Sequence, residues 1–192
     1  MSAAEGAAVG SAAQFANVTN IETVRFDTAL AGAINGTFFT GVTTLEFAGG
    51  IGALSHTVAT GQEIQYDLLD ADDDAQTFTI TGVATSDVMN IDINGVDIGA
   101  GTQTYVGVET LNIATSGTSL IDGAHVMTAT AAAESMNISG TGTLTLGNVT
   151  ADNITSTMTS GTLNLGVMQA ATAFTGGASI DTITGSTAAA LL

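Results

Sequence analysis

Apolar residues in the second half of the chain come in short alternating runs cut by glycine or asparagine, and this cadence narrows the possible folds more than any other feature. Strand centres fall at Ile113, Leu120, Met127, Ile138, Leu146, Ile154, Leu163, Phe174 and Ile183, at intervals of 7 to 11 residues. Alternation at period two marks a strand with one buried face. Two near-copies, Thr143-Leu144-Thr145-Leu146-Gly147 and Thr162-Leu163-Asn164-Leu165-Gly166, start 19 residues apart, so about two strands separate equivalent positions. A short strand, a glycine or asparagine corner and another short strand, repeated, is the pattern of a solenoid whose coils stack on one another. An antiparallel β-sandwich with strands at about 8–12-residue spacing gives similar intervals and is the alternative.

Composition points the same way. The 192 residues include 33 threonines and 24 glycines, with no proline and no tryptophan. Threonine is β-branched, and both residues are poor helix formers, so the chain is expected to be all-β. Hydrophobic residues make up 45% and charged residues only 10%, which separates it from a disordered acidic tail.

Residues 1–16, rich in alanine, glycine and serine, read as a flexible or interface-forming arm, and 17–192 as a single β-rich domain. Within that domain, 17–104 is expected to contain hairpins and 105–192 to be solenoid-like. Three segments look alike: Asn17-Val18-Thr19-Asn20-Ile21-Glu22-Thr23-Val24-Arg25-Phe26, Gly41-Val42-Thr43-Thr44-Leu45-Glu46-Phe47 and Val106-Gly107-Val108-Glu109-Thr110-Leu111-Asn112-Ile113. Between them, Asn35-Gly36 and Asn94-Gly95 carry the positive-φ preference of two-residue hairpin turns. The second predicts a hairpin of Val88–Ile93 with Val96–Ile98.

Charge excludes whole classes of partner. One arginine and no lysine stand against 18 acidic residues, a formal charge of −17. Such a chain cannot release counterions from a phosphate backbone or dock on anionic lipid, so neither nucleic acid nor an acidic membrane surface is a partner. Without cysteine there is no thiolate zinc site, disulfide scaffold or thiol enzyme. No apolar run reaches the roughly 18–20 residues of a membrane-spanning helix. A phosphate loop ending in lysine is impossible, and no G-x-S-x-G elbow accompanies Ser55-His56. His56 and His125 read as structural, and the chain as non-enzymatic. Arg25 shares a strand face with Thr23 and Asp27 and is expected to pair with Asp27 or with an acid on a neighbouring subunit.

The segment Gly176-Gly177-Ala178-Ser179-Ile180-Asp181-Thr182-Ile183-Thr184 resembles one degenerate copy of the calcium-binding RTX nonapeptide, with Ser179 in place of its third glycine. Gly107–Ile113, Asn20–Val24 and the threonine-leucine ladders that follow resemble bacterial surface-layer proteins of the RTX, type I-secreted kind. The resemblance implies an extracellular, calcium-associated, self-assembling β-solenoid at the cell surface, exported without a cleaved N-terminal signal.

Calcium prefers six to eight hard oxygens. The acidic stretch with Asp67, Asp70, Asp72, Asp73 and Asp74 is either a calcium site or a solvated turn. Asp87, Asn90, Asp92, Asn94 and Asp97 form a second group, either a site or the polar face of a strand pair, without the offsets of an EF-hand. The candidate ligands are therefore Asp70, Asp72, Asp73, Asp74, Asp92, Asp97 and Asp181. These readings converge on a structural protein that assembles from identical subunits into a surface layer or a filamentous or tubular appendage. The alternative is a calcium-dependent adhesin or carbohydrate-binding module of a larger secreted protein, with a cell-surface glycan as its partner.

Overall fold

The computed structural model describes residues 20–67, 75–81, 86–129, 133–169 and 173–185. The chain winds through these residues as a stack of coils. The first coil holds β1 (Thr23–Phe26) and a short 3-10 turn at Gly36–Phe38; the second holds β2 (Thr44–Phe47) and β3 (Ser55–Val58). The third has β4 (Glu63–Tyr66) and β5 (Gln76–Ile80), and the fourth β6 (Val88–Asn94) and β7 (Gln103–Val106). A third side opens in the fifth, with β8 (Thr110–Ser116), β9 (Thr118–Ile121) and β10 (His125–Thr128). The sixth repeats it as β11 (Ser135–Gly140), β12 (Thr143–Leu146) and β13 (Val149–Thr150). The seventh has β14 (Asn153–Ser156) and β15 (Thr162–Val167), and the last β16 (Ala173–Thr175) and β17 (Ile180–Thr184).

Equivalent strands of successive coils pair to make three sheets. Sheet A is β1-β2-β4-β6-β8-β11-β14-β16, sheet B is β3-β5-β7-β10-β13, and sheet C is β9-β12-β15-β17. Every strand pairing among the described residues is parallel. The protein is thus an all-β solenoid whose eight successive sheet A strands span about seven turns. The two near-copies lie one coil apart, Thr143 opposite Thr162 and Leu146 opposite Leu165.

This arrangement removes the antiparallel sandwich and corrects the hairpin expectation. Asn35 does not turn a hairpin: its side chain caps the 3-10 turn, accepting from Thr37 N at 3.1 Å. Nor does Val88–Ile93 pair with Val96–Ile98. β6 pairs with β4 and β8, and Asp97 bridges Leu120 one coil on. Asn94-Gly95 is a corner between sheets, with Gly95 at φ +62°. Asn-Gly fits both uses, because hairpin and corner alike need a positive φ and differ only in where the next strand finds its partner. Here the partner is the next corner: Gly95 N donates to Ser116 O at 3.1 Å, and Ser116 Oγ to Asn94 Oδ1 at 3.0 Å.

Inward positions stack as apolar columns. Phe26, Phe47, Tyr66 and Ile93 form one, and Val24, Leu45, Ile64, Ile91, Ile113 and Ile138 another. All are buried, and each aliphatic or phenyl side chain contributes about 1.5–3 kcal/mol on burial. Outward positions are mainly threonine, serine and asparagine, which meets the β preference without enlarging the core. An amide ladder ties three coils of sheet A from outside: Asn112 Nδ2 donates to Asn90 Oδ1 and Asn137 Nδ2 to Asn112 Oδ1, both at 2.9 Å.

Candidate functional site

The three sheets differ in what they present to solvent. Sheet A carries the charge. Its outward row runs Arg25, Glu46, Gln65, Asp92, with Glu63 in the neighbouring row. Arg25 gathers three carboxylates at the exposed surface. Its Nε donates to Asp27 Oδ1 at 2.7 Å, and Nη1 to Asp67 Oδ2 at 2.9 Å and to Glu46 Oε1. The hydrogen bonds to Asp27 and Asp67 raise the pKa of the guanidinium further still, so the charge is permanent. The pairing with Asp27 follows from period two; the other partners come from the second and third coils and are invisible in a local reading.

Acids also stand at the entry to successive sheet A strands, at Asp87, Glu109, Glu134 and Asp152. Two of them reach back one coil. Glu109 Oε2 accepts from Asp87 N at 2.8 Å, and Asp152 Oδ2 from Glu134 N at 3.0 Å. Glu134 Oε1 accepts at 2.6 Å from Ala129 N, just past the end of β10. Asp87 and Glu109 are buried. A buried carboxylate stays tolerable when it accepts backbone N–H groups, so Glu109, and with it Glu134 and Asp152, read as caps on strand entries. The recurrence Asp87-Val88-Met89-Asn90-Ile91, Glu109-Thr110-Leu111-Asn112-Ile113, Glu134-Ser135-Met136-Asn137-Ile138 is the sequence signal for this column.

Sheet B presents two neutral rows. One runs Ser55, Thr77, Thr104, Val126, Thr150, and the other Thr57, Thr79, Val106, Thr128. None of these side chains is charged. The near-copies Gln76-Thr77-Phe78-Thr79 and Gln103-Thr104-Tyr105-Val106 carry this face in the sequence. Sheet C offers threonines at 118, 143 and 162, but the Asp97–Leu120 bridge puts an exposed carboxylate at the head of its other row.

Behind sheet B lies an aromatic column. His56, Phe78 and Tyr105 occupy one inward register, and His125, opposite Gln103 in the neighbouring inward register, lays its ring against Tyr105; the successive ring centroids are 5.4, 6.3 and 6.1 Å apart with near-parallel planes. His56 Nδ1 accepts from Ile34 N at 3.1 Å, and Tyr105 OH shares a hydrogen bond with His125 Nδ1 at 3.2 Å. Burial pushes both imidazoles down to about 4 and the Tyr105 hydroxyl well up, so all three are neutral at physiological pH. Neither histidine has an acid hydrogen-bonded to it among the described residues, and both serve the packing.

The expected calcium ligands are scattered. Asp70, Asp72, Asp73 and Asp74 lie outside the described residues. Asp92 faces outward on β6, Asp97 occupies the corner after it with Oδ1 accepting from Gly99 N at 3.1 Å, and Asp181 sits on β17 of the last coil. In the RTX-like segment, Ser179 Oγ donates to Asp181 Oδ1 at 2.7 Å, so the residue in the glycine position engages the carboxylate itself. No group of three or more His, Asp or Glu side chains among the described residues is arranged to hold a metal ion. No helix among them is long and apolar enough to cross a membrane. No protein-family description, curated protein or solved structure matches the chain.

Proposed function

We propose that this chain is a non-enzymatic structural subunit that self-assembles outside a bacterial cell, as a surface layer or as a filamentous or tubular appendage. The observation that carries the reading is the outside of the solenoid: a rigid stack of in-register parallel strands whose faces hold regular rows of threonine, serine, asparagine and valine, with carboxylates confined mainly to sheet A and the corners. A surface of repeating short side chains suits close packing between copies, and a solenoid offers it over a long side. Export by a type I route and calcium bridging of carboxylates complete the proposal; they rest on the surface-layer resemblance and on the charge of −17, which internal cations cannot offset.

The test is purification of the chain with calcium and with chelator, followed by negative-stain microscopy over a range of concentrations. Ordered sheets or filaments, favoured by calcium, are the expected result. A chain that stays monomeric at high concentration with millimolar calcium overturns the proposal, and glycan binding by that monomer would make it an adhesin module.

A further inference from the structure

We propose that the outward face of sheet B is a self-association surface on which a second copy of this chain docks, sheet B against sheet B. The inference rests on the self-assembly reading and names the surface it uses. In an isologous contact the same patch lies on both sides, so a face that carries carboxylates and no free cation sets them against the carboxylates of its copy. Pairing of opposite charges is not open to this protein: its single basic residue, Arg25, is already engaged by Asp27, Glu46 and Asp67. Two copies therefore approach best where neither presents charge. Sheet A shows Glu46, Glu63 and Asp92, and a row of sheet C begins at Asp97. Sheet B is free of charge at all its outward strand positions among the described residues, and it lacks the exposed bridge carboxylate, Asp97, that stands beside the otherwise uncharged outward rows of sheet C.

The chemistry of the face suits docking. Threonine and valine are stiff at χ1, so little rotamer freedom is lost on contact. Their methyl groups exclude water, and the threonine hydroxyls can donate or accept across the contact. Five strands about 4.8 Å apart and four residues at about 3.3 Å each give roughly 250–300 Å² in projection, well below the ~800 Å² per partner of a standard stable interface. One such contact is weak, so association through it is concentration-dependent and depends on repetition in an assembly.

The test places charge of either sign on the face. Thr79→Asp with Thr104→Asp, and Thr79→Lys with Thr104→Lys, are compared with the original chain by sedimentation velocity and negative-stain microscopy at about 150 mM salt. Thr155→Asp and Thr155→Lys, outward on β14 of sheet A, are the controls. Both sheet B pairs are expected to raise the concentration at which association begins by roughly tenfold or more, because either charge must be desolvated in the contact. The Thr155 variants should stay within about twofold of the original chain. If the lysine pair promotes association while the aspartate pair suppresses it, net charge governs and the surface assignment is overturned; association of both pairs at the original concentration overturns it too. Should circular dichroism show either pair unfolded, Val126→Lys alone on β10 gives the same readout. A parent chain that never associates overturns the self-assembly reading itself, which separates the two failures.

Discussion

Single residues fix how closely the coils approach. Gly142 sits at φ +93°, at the corner between β11 and β12, and a Cβ built on it would fall inside the carbonyl oxygen of Gly117 one coil below. Gly161 repeats this against Gly142. Alanine at 142 therefore meets both an unfavourable φ and a backbone oxygen that cannot move without shifting a neighbouring coil. Gly142→Ala is expected to destabilise by about 3 kcal/mol or more. Gly61 also has a positive φ, +84°, but a Cβ there meets nothing within 4 Å, so Gly61→Ala should cost only about 1 kcal/mol. Urea midpoints of the two variants check the contrast, and equal losses would show that φ alone decides. The glycine corners were legible in the sequence as breaks in the strand cadence. The close approach was not, since it depends on which corner lies beneath. Arg25 teaches the same point, because Asp27 is two residues away while Glu46 and Asp67 are 21 and 42 away.

At the scale of elements, the strands themselves were readable because period-two burial is a local property, and inward and outward residues alternate along each strand as expected. Pairing was harder to read. The three look-alike segments all lie in sheet A, yet Val24 and Leu45 share a column with Ile113 rather than Leu111, so the text alignment is two residues out of register. The coil between Glu63 and Asn90 is 27 residues long and that between Ser135 and Asn153 is 18, too uneven for a fixed period to show. The inward face of sheet B carries a pH dependence that follows from its histidines. Burial lowers His56 and His125 to about 4 in the fold, whereas in the unfolded chain they titrate near 6.5. The unfolded state therefore takes up protons first. Stability is full above pH ~6.5 and is lost as pH falls toward 4, by up to about 3 kcal/mol per histidine. Urea midpoints between pH 7 and pH 4.5 should fall accordingly. His125→Phe, which keeps a ring against Tyr105, should flatten the dependence by about one proton; an unchanged slope would place the lost stability elsewhere.

The whole molecule carries a charge of −17 with one cation, and this self-repulsion weighs on the compact state more than on the extended chain. What offsets it determines how the protein responds to ions. If diffuse counterions do, the melting temperature follows ionic strength: from about 20 to 500 mM sodium chloride the screening length shrinks from roughly 20 to 4 Å, and a rise of roughly 3–8 °C is expected. If bound calcium does, about 1 mM calcium should add a further rise at constant 150 mM sodium chloride, where it changes the ionic strength negligibly and acts through site occupancy. The two effects are expected together, because sheet A spreads its carboxylates along the stack while Asp70, Asp72, Asp73 and Asp74 crowd five residues of chain. Asp72→Asn with Asp73→Asn should then abolish the calcium increment and leave the sodium chloride response in place. A melting temperature that follows ionic strength alone, with no calcium increment in the original chain, would remove calcium from the assembly proposal. The neutral face of sheet B would then be the route by which like-charged copies can still meet.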